Sequence, residues 1–315
     1  MSARIVFMGT PDYAVQSLSA LVDAGHEVVG VFTQPDKPKG RGGRVQAPPA
    51  KAYALSQGIP VFQPRRIRED GAEDLRALQP DLCVTAAFGQ ILSQQLLDIP
   101  RLGTVNVHAS LLPKYRGSAP VNWCLINGET TTGVTTMMTD KGIDTGDILL
   151  QRALDTLPGE TAGELTVRVG ALGAQLLLET VQALLNGTCP RTPQDERQAS
   201  YYPMLRKEMG WVDWSRPAQD IVHLAHGLNP WPCAVSASPH GRLKLLRATT
   251  ETGSGLPGEV LQADGKHGLL VAAGEGAVRL LQVQGEGGKP MAAQDFLRGR
   301  PMMAGQRMTE GEGQA

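Results

Sequence analysis

The chain has 315 residues, of which 41% are hydrophobic and 19% are charged, as expected for a globular protein with a sizeable core. Its 30 Lys+Arg and 31 Asp+Glu give a net charge of −1, so global charge does not favour a polyanionic partner and any such site must be local. The length is about twice that of a typical domain and predicts two domains.

The cysteines and the first residues indicate the compartment. Cys83, Cys124, Cys189 and Cys233 are far apart and form no CxxC pair, which argues against a zinc site or a disulfide framework and is typical of a reducing compartment. The apolar run near the start, Ile5–Met8, is too short for a signal peptide, and no window approaches a membrane span. A soluble cytoplasmic protein is expected.

Short apolar runs alternate with amphipathic segments over the first 155 residues. The predicted strands are Arg4–Met8, Val28–Thr33, Val61–Phe62, Leu82–Ala87, Thr104–His108, Val134–Thr139 and Ile148–Arg152. The predicted helices are Tyr13–Ala24, Ala50–Gln57, Asp70–Leu78, Ser93–Leu97, Ala119–Ile126 and a long one over about Thr161–Asn186. This alternation predicts an α/β fold with a doubly wound, mostly parallel, Rossmann-like sheet.

A long segment with many Pro and Gly, "TQPDKPKGRGGRVQAPPAK", follows the second predicted strand. It carries Lys37, Lys39, Arg41, Arg44 and Lys51 against a single Asp36. A loop of this length inside a compact domain is usually functional or disordered. We weigh two interpretations equally: a solvated basic loop, or a flexible finger that contacts a phosphate backbone.

The strand Thr104–His108 has an unusual polar face. Asn106 and His108 share one side of it, although a strand of a parallel sheet is normally apolar on both sides. A satisfied core His is the ordinary explanation. Two polar side chains at the carboxyl end of a central strand favour a functional site, because imidazole titrates near neutrality and an Asn amide can donate to a developing oxyanion.

An acidic, Gly-containing segment, "TDKGIDTGDIL", follows the next predicted strand. It supplies Asp140, Asp144 and Asp147, any of which could orient and charge the imidazole. The spacing does not fit a calcium loop, and an ordinary turn is the plainer interpretation. The segment "MGTPDYAV" is not GxGxxG, which argues against a nicotinamide dehydrogenase.

The chain changes character after the long helix. Residues 189–208 are polar and contain Pro, which predicts a linker between a first domain over 1–188 and a second over 209–315. The second domain contains short β-like runs separated by Gly, typical of a small β-barrel or sandwich.

Two of these stretches, "NVHASLLPKYRGSAP" and "DKGIDTGDI", resemble the formyltransferase family that uses a formylated tetrahydrofolate. The resemblance covers essentially the whole chain, and the opening "IVFMGTPDYAV", the basic segment and "NPWP" at Asn229–Pro232 are most similar to members that act on tRNA. It implies a Rossmann-like catalytic domain followed by an OB-like C-terminal barrel that binds tRNA.

The resemblance also implies residue roles. The family's catalytic Asn, His and Asp fall on Asn106, His108 and Asp144. The family's folate-contacting turn falls on Ser110, Leu111, Leu112 and Pro113, with the Ser hydroxyl near the pterin or its linker, and tRNA contacts fall on Lys37, Lys39, Arg41 and Arg44. The implied reaction moves a formyl group from 10-formyltetrahydrofolate to the α-amino group of methionine on initiator methionyl-tRNA, in a monomer and without a metal.

Two further classes stay open at this point. A glycinamide-ribonucleotide or nucleotide-sugar formyltransferase shares the catalytic trio but has no need of the basic segment together with a C-terminal β-domain. A non-catalytic folate- or tRNA-binding module has no need of all three polar residues.

Overall fold

The computed structural model describes residues 3–39 and 44–311, and these form two compact units. The first unit takes Met1–Gly117, Thr132–Leu154 and Thr166–Tyr201, and the second takes Ser118–Thr131, Asp155–Leu165 and Tyr202–Ala315. The sequence-based boundaries 1–188, 189–208 and 209–315 are continuous, whereas these units interleave, because two short segments before residue 166 pack with the C-terminal residues.

The first unit is built on a seven-stranded sheet with the order β10-β9-β7-β6-β1-β2-β5. The strands up to β10 are β1 Arg4–Gly9, β2 Glu27–Phe32, β3 Lys37–Lys39, β4 Arg44–Gln46, β5 Val61–Phe62, β6 Leu82–Ala86, β7 Thr104–His108, β8 Arg116–Gly117, β9 Thr131–Met138 and β10 Ile148–Asp155. The pairs from β7 to β5 are parallel, and β9 runs antiparallel to β7. The predicted mostly parallel sheet with an interior Thr104–His108 strand is therefore confirmed.

Helices connect these strands because apolar residues recur along one side of each. They are α1 Asp12–Asp23, α2 Pro49–Ser56, α3 Ile67–Asp70, α4 Ala72–Ala77 and α5 Gln94–Leu97. Helix α6 Pro120–Ile126 lies in a segment of the second unit, and α7 Ala162–Leu185 follows β10. The predicted helix Asp70–Leu78 corresponds to α4, and the short α3 before it was not predicted; the two meet at Gly71, where an added Cβ would lie 2.5 Å from the Ile67 side chain.

The basic segment forms a hairpin, not an irregular loop, among its described residues. Strands β3 and β4 pair antiparallel, with Lys37 opposite Gln46 and Lys39 opposite Arg44. The hairpin follows β2, so it leaves the sheet at the edge where the parallel strands end. This is the edge at which doubly wound sheets bind their ligands.

Residues 189–201, predicted to begin a linker, contact the first unit. Thr192 exchanges two backbone hydrogen bonds with Ile148 of β10, both 2.9 Å long, and Arg116 N–H donates to the Ser200 carbonyl at 2.8 Å. This polar segment is not a free linker. It packs along the edge strand of the sheet, and some of its side chains point toward the sheet.

The second unit is an antiparallel sheet with the order β12-β13-β16-β15-β14, to which β17 adds at β16. Its remaining elements are β11 Tyr201–Tyr202, α8 Ala218–Gly227, β12 Ala234–Ser238, β13 Gly241–Glu251, β14 Val260–Asp264, β15 Gly268–Ala272, β16 Ala277–Gly285, β17 Met291–Ala292 and α9 Ala293–Gly299. Five of these strands were predicted; α8 and α9 were not.

The C-terminal stretch joins the two edges of this sheet. Thr309 exchanges hydrogen bonds with Ala237 of β12, and Arg307 bridges Glu259 beside β14. Met308 between them is 1% exposed and belongs to the apolar core of the unit. The sheet therefore closes into a small barrel, as the sequence predicted.

Candidate active site

The polar face of β7 lies at the carboxyl edge of the first unit's sheet. Asn106 pairs in register with Thr85 of β6, and His108 pairs with Thr135 of β9. His108 is 6% exposed and Asn106 is half-buried. Residues two apart project from the same side of a strand, so the predicted shared face is present.

The opposite face of β7 is held by helices. A Cβ on Gly173 of α7 would lie 3.0 Å from Val107, so that helix approaches the strand closely. The Tyr13 hydroxyl of α1 donates to the Val107 carbonyl at 3.2 Å, and complete burial raises the pKa of this phenol. Both contacts fix the backbone between the two polar residues.

Asp144 lies in the turn between β9 and β10 with a φ of +54°. This left-handed conformation is one that Asp tolerates better than most residues. Gly146 allows the turn to close, since a Cβ there would lie 1.9 Å from the Met138 carbonyl oxygen. Asp140 has a different position: its carboxylate is exposed and accepts from the Thr145 hydroxyl at 2.7 Å.

The three predicted catalytic residues converge. Asp144 Oδ2 lies 3.7 Å from His108 Nδ1, and Oδ1 accepts a long hydrogen bond from Asn106 Nδ2 at 3.4 Å. Oδ2 also accepts from the Gly117 N–H at 2.8 Å. The Asp144 side chain is 16% exposed, so these charges interact with limited screening by water.

The hydrogen bonds of His108 assign different tasks to its two ring nitrogens. Nε2 lies 2.9 Å from the Tyr115 carbonyl oxygen, which can only accept, so Nε2 carries a proton. Nδ1 faces Asp144, with Oδ2 3.7 Å away. An imidazolium at this position has a carboxylate on one side and a carbonyl on the other.

Asn106 is oriented from the neighbouring strand. The Thr85 hydroxyl donates to Asn106 Oδ1 at 2.9 Å, so the amide nitrogen points away from β6 and toward Asp144. An amide nitrogen has two hydrogens. Asp144 takes one of them, and the other can be donated to a bound molecule.

The Ser110 hydroxyl forms its hydrogen bond within the turn that follows β7. Ser110 is 1% exposed, and its Oγ donates to the Lys114 carbonyl at 2.7 Å. Leu112 is buried as well, whereas Leu111 and Pro113 are half-buried. The hydrogen of the Ser110 hydroxyl is therefore used within its own turn, and the expected position of this hydroxyl near the pterin or its linker stays a prediction.

The residues predicted to contact tRNA belong to the hairpin. Lys37 is exposed on β3, Lys39 ends that strand, and Arg44 begins β4. Arg41 lies outside the described residues.

The base of the hairpin is tied to the sheet. Lys51 Nζ contacts the Asp36 carboxylate at 2.8 Å and Gln63 Oε1 at 2.7 Å, and hydrogen bonds from Lys51 and Gln63 lower the pKa of Asp36. Gln34 Nε2 donates to the Phe88 carbonyl, which follows β6, at 3.2 Å. Lys51 therefore serves as an anchor, and its charge is matched by Asp36.

Several residues around the trio gave no signal in the sequence. Thr85, Tyr115 and Gln194 each bond to one of its members, the last through the Asp144 backbone. Ile91, in the segment after β6, is 67% exposed. An exposed large apolar side chain beside the carboxyl edge is a detectable signal, but only once the edge is known.

No group of three His, Cys, Asp or Glu side chains within residues 3–39 and 44–311 could hold a metal ion. Across the same residues, no helix combines the length and apolarity needed to cross a bilayer. All four cysteines are free thiols, and burial raises the pKa of Cys83 to about 12, which makes it a poor nucleophile.

Two family models match the chain. The model described as formyl transferase matches residues 3–181, and the one described as formyl transferase, C-terminal domain, matches residues 204–301. Among curated proteins, the chain is 48% identical over 305 residues to a methionyl-tRNA formyltransferase of Geobacter metallireducens, covering 96% of this chain and 98% of that protein. It is 50% identical over 303 residues to one of Trichlorobacter lovleyi, covering 96% of each.

Solved structures with a similar fold are more distant in sequence. An N-formyltransferase of Helicobacter canadensis, in complex with folinic acid and dTDP-3-aminofucose, has a TM-score of 0.68 at 18% identity over 88% of this chain and 99% of that one. HypX of Aquifex aeolicus, in complex with tetrahydrofolic acid, has a TM-score of 0.67 at 20% identity over 99% of this chain and 51% of that one.

Proposed function

The chain belongs to the formyl transferase family, and we propose that it transfers the formyl group of 10-formyltetrahydrofolate to the α-amino group of methionine on initiator methionyl-tRNA. The observation that carries the proposal is the convergence of Asn106, His108 and Asp144 at the carboxyl edge of the sheet, in a chain nearly half identical to methionyl-tRNA formyltransferases over its whole length.

The reaction begins when the neutral methionine amine attacks the formyl carbon. The C–N bond forms while the carbonyl oxygen becomes an oxyanion, and the free hydrogen of Asn106 Nδ2 is the donor for that oxygen. A donor already oriented by Thr85 needs no reorganisation when the charge develops, which is what makes such groups effective.

As the oxyanion collapses and the bond between the formyl carbon and the folate nitrogen breaks, His108 supplies the proton that this leaving nitrogen requires. The proton comes from Nδ1, because Nε2 is held at the Tyr115 carbonyl. Asp144 stabilises the imidazolium before transfer and accepts the proton lost by the attacking amine, directly or through water. The donor arrives already activated as a formamide of a weakly basic nitrogen, so this route uses only groups of the chain.

The folate is proposed to lie against the turn after β7. Leu111 and Pro113 offer the half-buried apolar surface of that turn, and Ser110 and Leu112 support it from inside. Exposed Ile91 extends the apolar surface on the neighbouring strand's side. A flat pterin ring packs better against an apolar surface of this kind than against a polar surface.

The hairpin is proposed to contact the tRNA backbone through Lys37, Lys39, Arg41 and Arg44. It leaves the sheet at the edge that carries the trio, so a nucleic acid held there has its aminoacylated end near His108. All three catalytic groups come from one chain, which favours activity as a monomer, and translation initiation places the enzyme in the cytoplasm.

The test is to incubate the protein with 10-formyltetrahydrofolate and, separately, with methionyl initiator tRNA, methionyl elongator tRNA and glycinamide ribonucleotide. Formylation of the initiator tRNA alone is expected. Equal formylation of both tRNAs would show that the protein does not select initiator tRNA. Formylation of glycinamide ribonucleotide alone would show that the protein is a glycinamide-ribonucleotide formyltransferase.

A further inference from the structure

We propose that Gln194 is a positioning residue for formyl transfer: it fixes the Asp144 backbone so that the carboxylate reaches His108. The inference rests on the proposed function and adds a residue of the supposed linker to it. Gln194 touches none of the reacting atoms. It acts through the turn that carries Asp144.

The contacts of Gln194 to this turn are direct. Its Nε2 donates to the Asp144 carbonyl at 2.9 Å and to the Gly146 carbonyl at 2.8 Å. One side-chain amide therefore satisfies two backbone carbonyls of a turn in which Asp144 has a left-handed conformation. Gln194 lies 50 residues after Asp144 and 48 residues after Gly146 in the sequence.

The other end of the amide is held by Arg116. Gln194 Oε1 accepts from Arg116 Nε at 3.0 Å and from Nη2 at 2.8 Å. A guanidinium can only donate and a carbonyl can only accept, so the chemistry alone determines which end of the amide faces which partner. Gln194 cannot flip without losing all four hydrogen bonds.

Arg116 is itself rigidly placed. Its side chain is 0% exposed, and the Glu196 carboxylate accepts from Nη1 at 2.9 Å and from Nη2 at 2.7 Å. Glu196 and the hydroxyl of Tyr201 raise the pKa of the guanidinium, which keeps it charged. Gln194 is thus one link in a chain of hydrogen bonds from a buried cation to the catalytic turn.

Position matters here because the contact between Asp144 and His108 is already long. At 3.7 Å the pair lies beyond hydrogen-bond distance, so it depends on where the turn holds the carboxylate, and a shift of about 1 Å in a catalytic group can cost roughly 100-fold in rate. The Gly117 N–H holds one carboxylate oxygen, and Gln194 holds the backbone on both sides of residue 145.

The decisive variant is Gln194→Glu. A carboxylate still accepts both bonds from Arg116, but it has no hydrogen for the two carbonyls of the turn and repels them. We expect kcat to fall roughly 10- to 100-fold while KM for both substrates and the melting temperature stay near wild type. Gln182→Glu, the same exchange on the exposed side of α7, is the matched control and should leave kcat unchanged.

A double-variant cycle separates positioning from a general structural role. If Gln194 acts through Asp144, adding Gln194→Glu to Asp144→Asn should cost little beyond the single variant. An equal loss in both backgrounds overturns the inference. Should Gln194→Glu fold poorly, Gln194→Ala in the same cycle gives the same comparison.

The two proposals fail differently. If Asp144→Asn retains wild-type turnover, the proposed role of Asp144 is wrong, and Gln194 has nothing to position. If Asp144→Asn is slow and Gln194→Glu has normal turnover, only the positioning role is wrong.

Discussion

At the residue scale, Asn106 and His108 should each be needed for rate and not for folding. Asn106→Ala removes the oxyanion donor and should lower kcat on the order of 10²–10³-fold. His108→Ala removes the proton donor and should cost a similar factor. Steady-state kinetics with circular dichroism as the folding control test both; turnover within a few-fold of wild type excludes that residue from the site.

Asp144 and Asp140 provide a comparison within one turn. Asp144→Asn keeps an acceptor for Gly117 N–H and a residue that tolerates left-handed backbone, but loses the charge that stabilises the imidazolium. We expect a kcat loss of about 100-fold or more with near-normal folding. Asp140→Asn, whose side chain serves Thr145 at the surface, should retain most activity. Sensitivity at Asp140 and not at Asp144 would reverse the assignment.

The sequence predicted the trio because strand periodicity and residue chemistry are local signals. It did not predict the internal hydrogen bond of Ser110, since nothing local shows that a hydroxyl will bond the carbonyl four residues on. It missed Gln194, whose partner Arg116 lies 78 residues away, and Thr85, 21 residues from Asn106. Such pairings depend on which distant segments become neighbours in the fold. The hydrophobic periodicity of a single sequence reports local structure and does not give that information.

At the element scale, most strands and helices up to α7 were predicted to within a few residues, including the short β5 and α5, whereas β3, β4, β8 and α3 were not predicted. Strands β1, β2, β6 and β7 match within a residue or so at each end, because buried strands are near-continuous apolar runs. The hairpin was expected to be a loop because its strands have three residues each and β3 contains Pro and Lys. Helices α8 and α9, with 10 and 7 residues, lie before and after the β-like runs, and the β-like character of the region around them hid both.

The start of α7 is stabilised by a capping box. Thr161 N–H donates to Glu164 Oε2 at 2.9 Å, and Glu164 N–H donates to Thr161 Oγ1 at 3.4 Å. The bonds from Thr161, followed by the ion pair with Arg247, lower the pKa of Glu164 to about 2. Thr161→Ala should reduce the free energy of unfolding by about 1 kcal/mol, measured by urea denaturation.

The charge of Glu164 makes the same cap dependent on pH. A depressed carboxyl pKa contributes stability above the unfolded value of 4.5, and this is lost as pH falls through about 2. Glu164→Gln should therefore be less stable than wild type at pH 7, and the gap should narrow at pH 3. Because the side chain is 49% exposed, the gap at pH 7 should not exceed about 1 kcal/mol. A gap independent of pH contradicts the role of the charge.

The hairpin prediction concerns tRNA alone. The Arg41→Ala/Arg44→Ala double variant should raise KM for methionyl-tRNA and leave KM for the formyl donor unchanged. Each phosphate contact removed should reduce the salt dependence of binding by roughly one unit of slope. Lys51→Ala is a useful contrast, because it releases the hairpin's anchor at Asp36. Unchanged tRNA kinetics in the double variant would make the hairpin a solvated connector.

At the scale of the whole molecule, positive and negative charges are nearly equal in number. Residues 206–315 contain 12 basic and 11 acidic side chains, in a chain whose net charge is −1. Neither figure favours strong electrostatic capture of a polyanion. The division into interleaved units was not foreseen, because segments 118–131 and 155–165 give no sign in sequence of which core they join.

The barrel depends on the residues that join its edges. A chain ending at Gly305 loses buried Met308 and the backbone bonds of Thr309 to Ala237, whereas a chain ending at Gly311 keeps them. The shorter variant should lose about 3 kcal/mol or more of the second unit's stability, measured by thermal and urea unfolding. Equal stability of the two variants would show that closure is dispensable.

The left-handed backbone at Asp144 bears on how this position can change over generations. Gly, Asn and Asp accept a φ of +54° at low cost, and of these Asp alone has a negative charge. Glu would conserve the charge but lose the backbone fit, and Asn would conserve the fit but lose the charge. Backbone shape and charge thus favour the same amino acid for independent reasons, so any single substitution at this position gives up at least one of them.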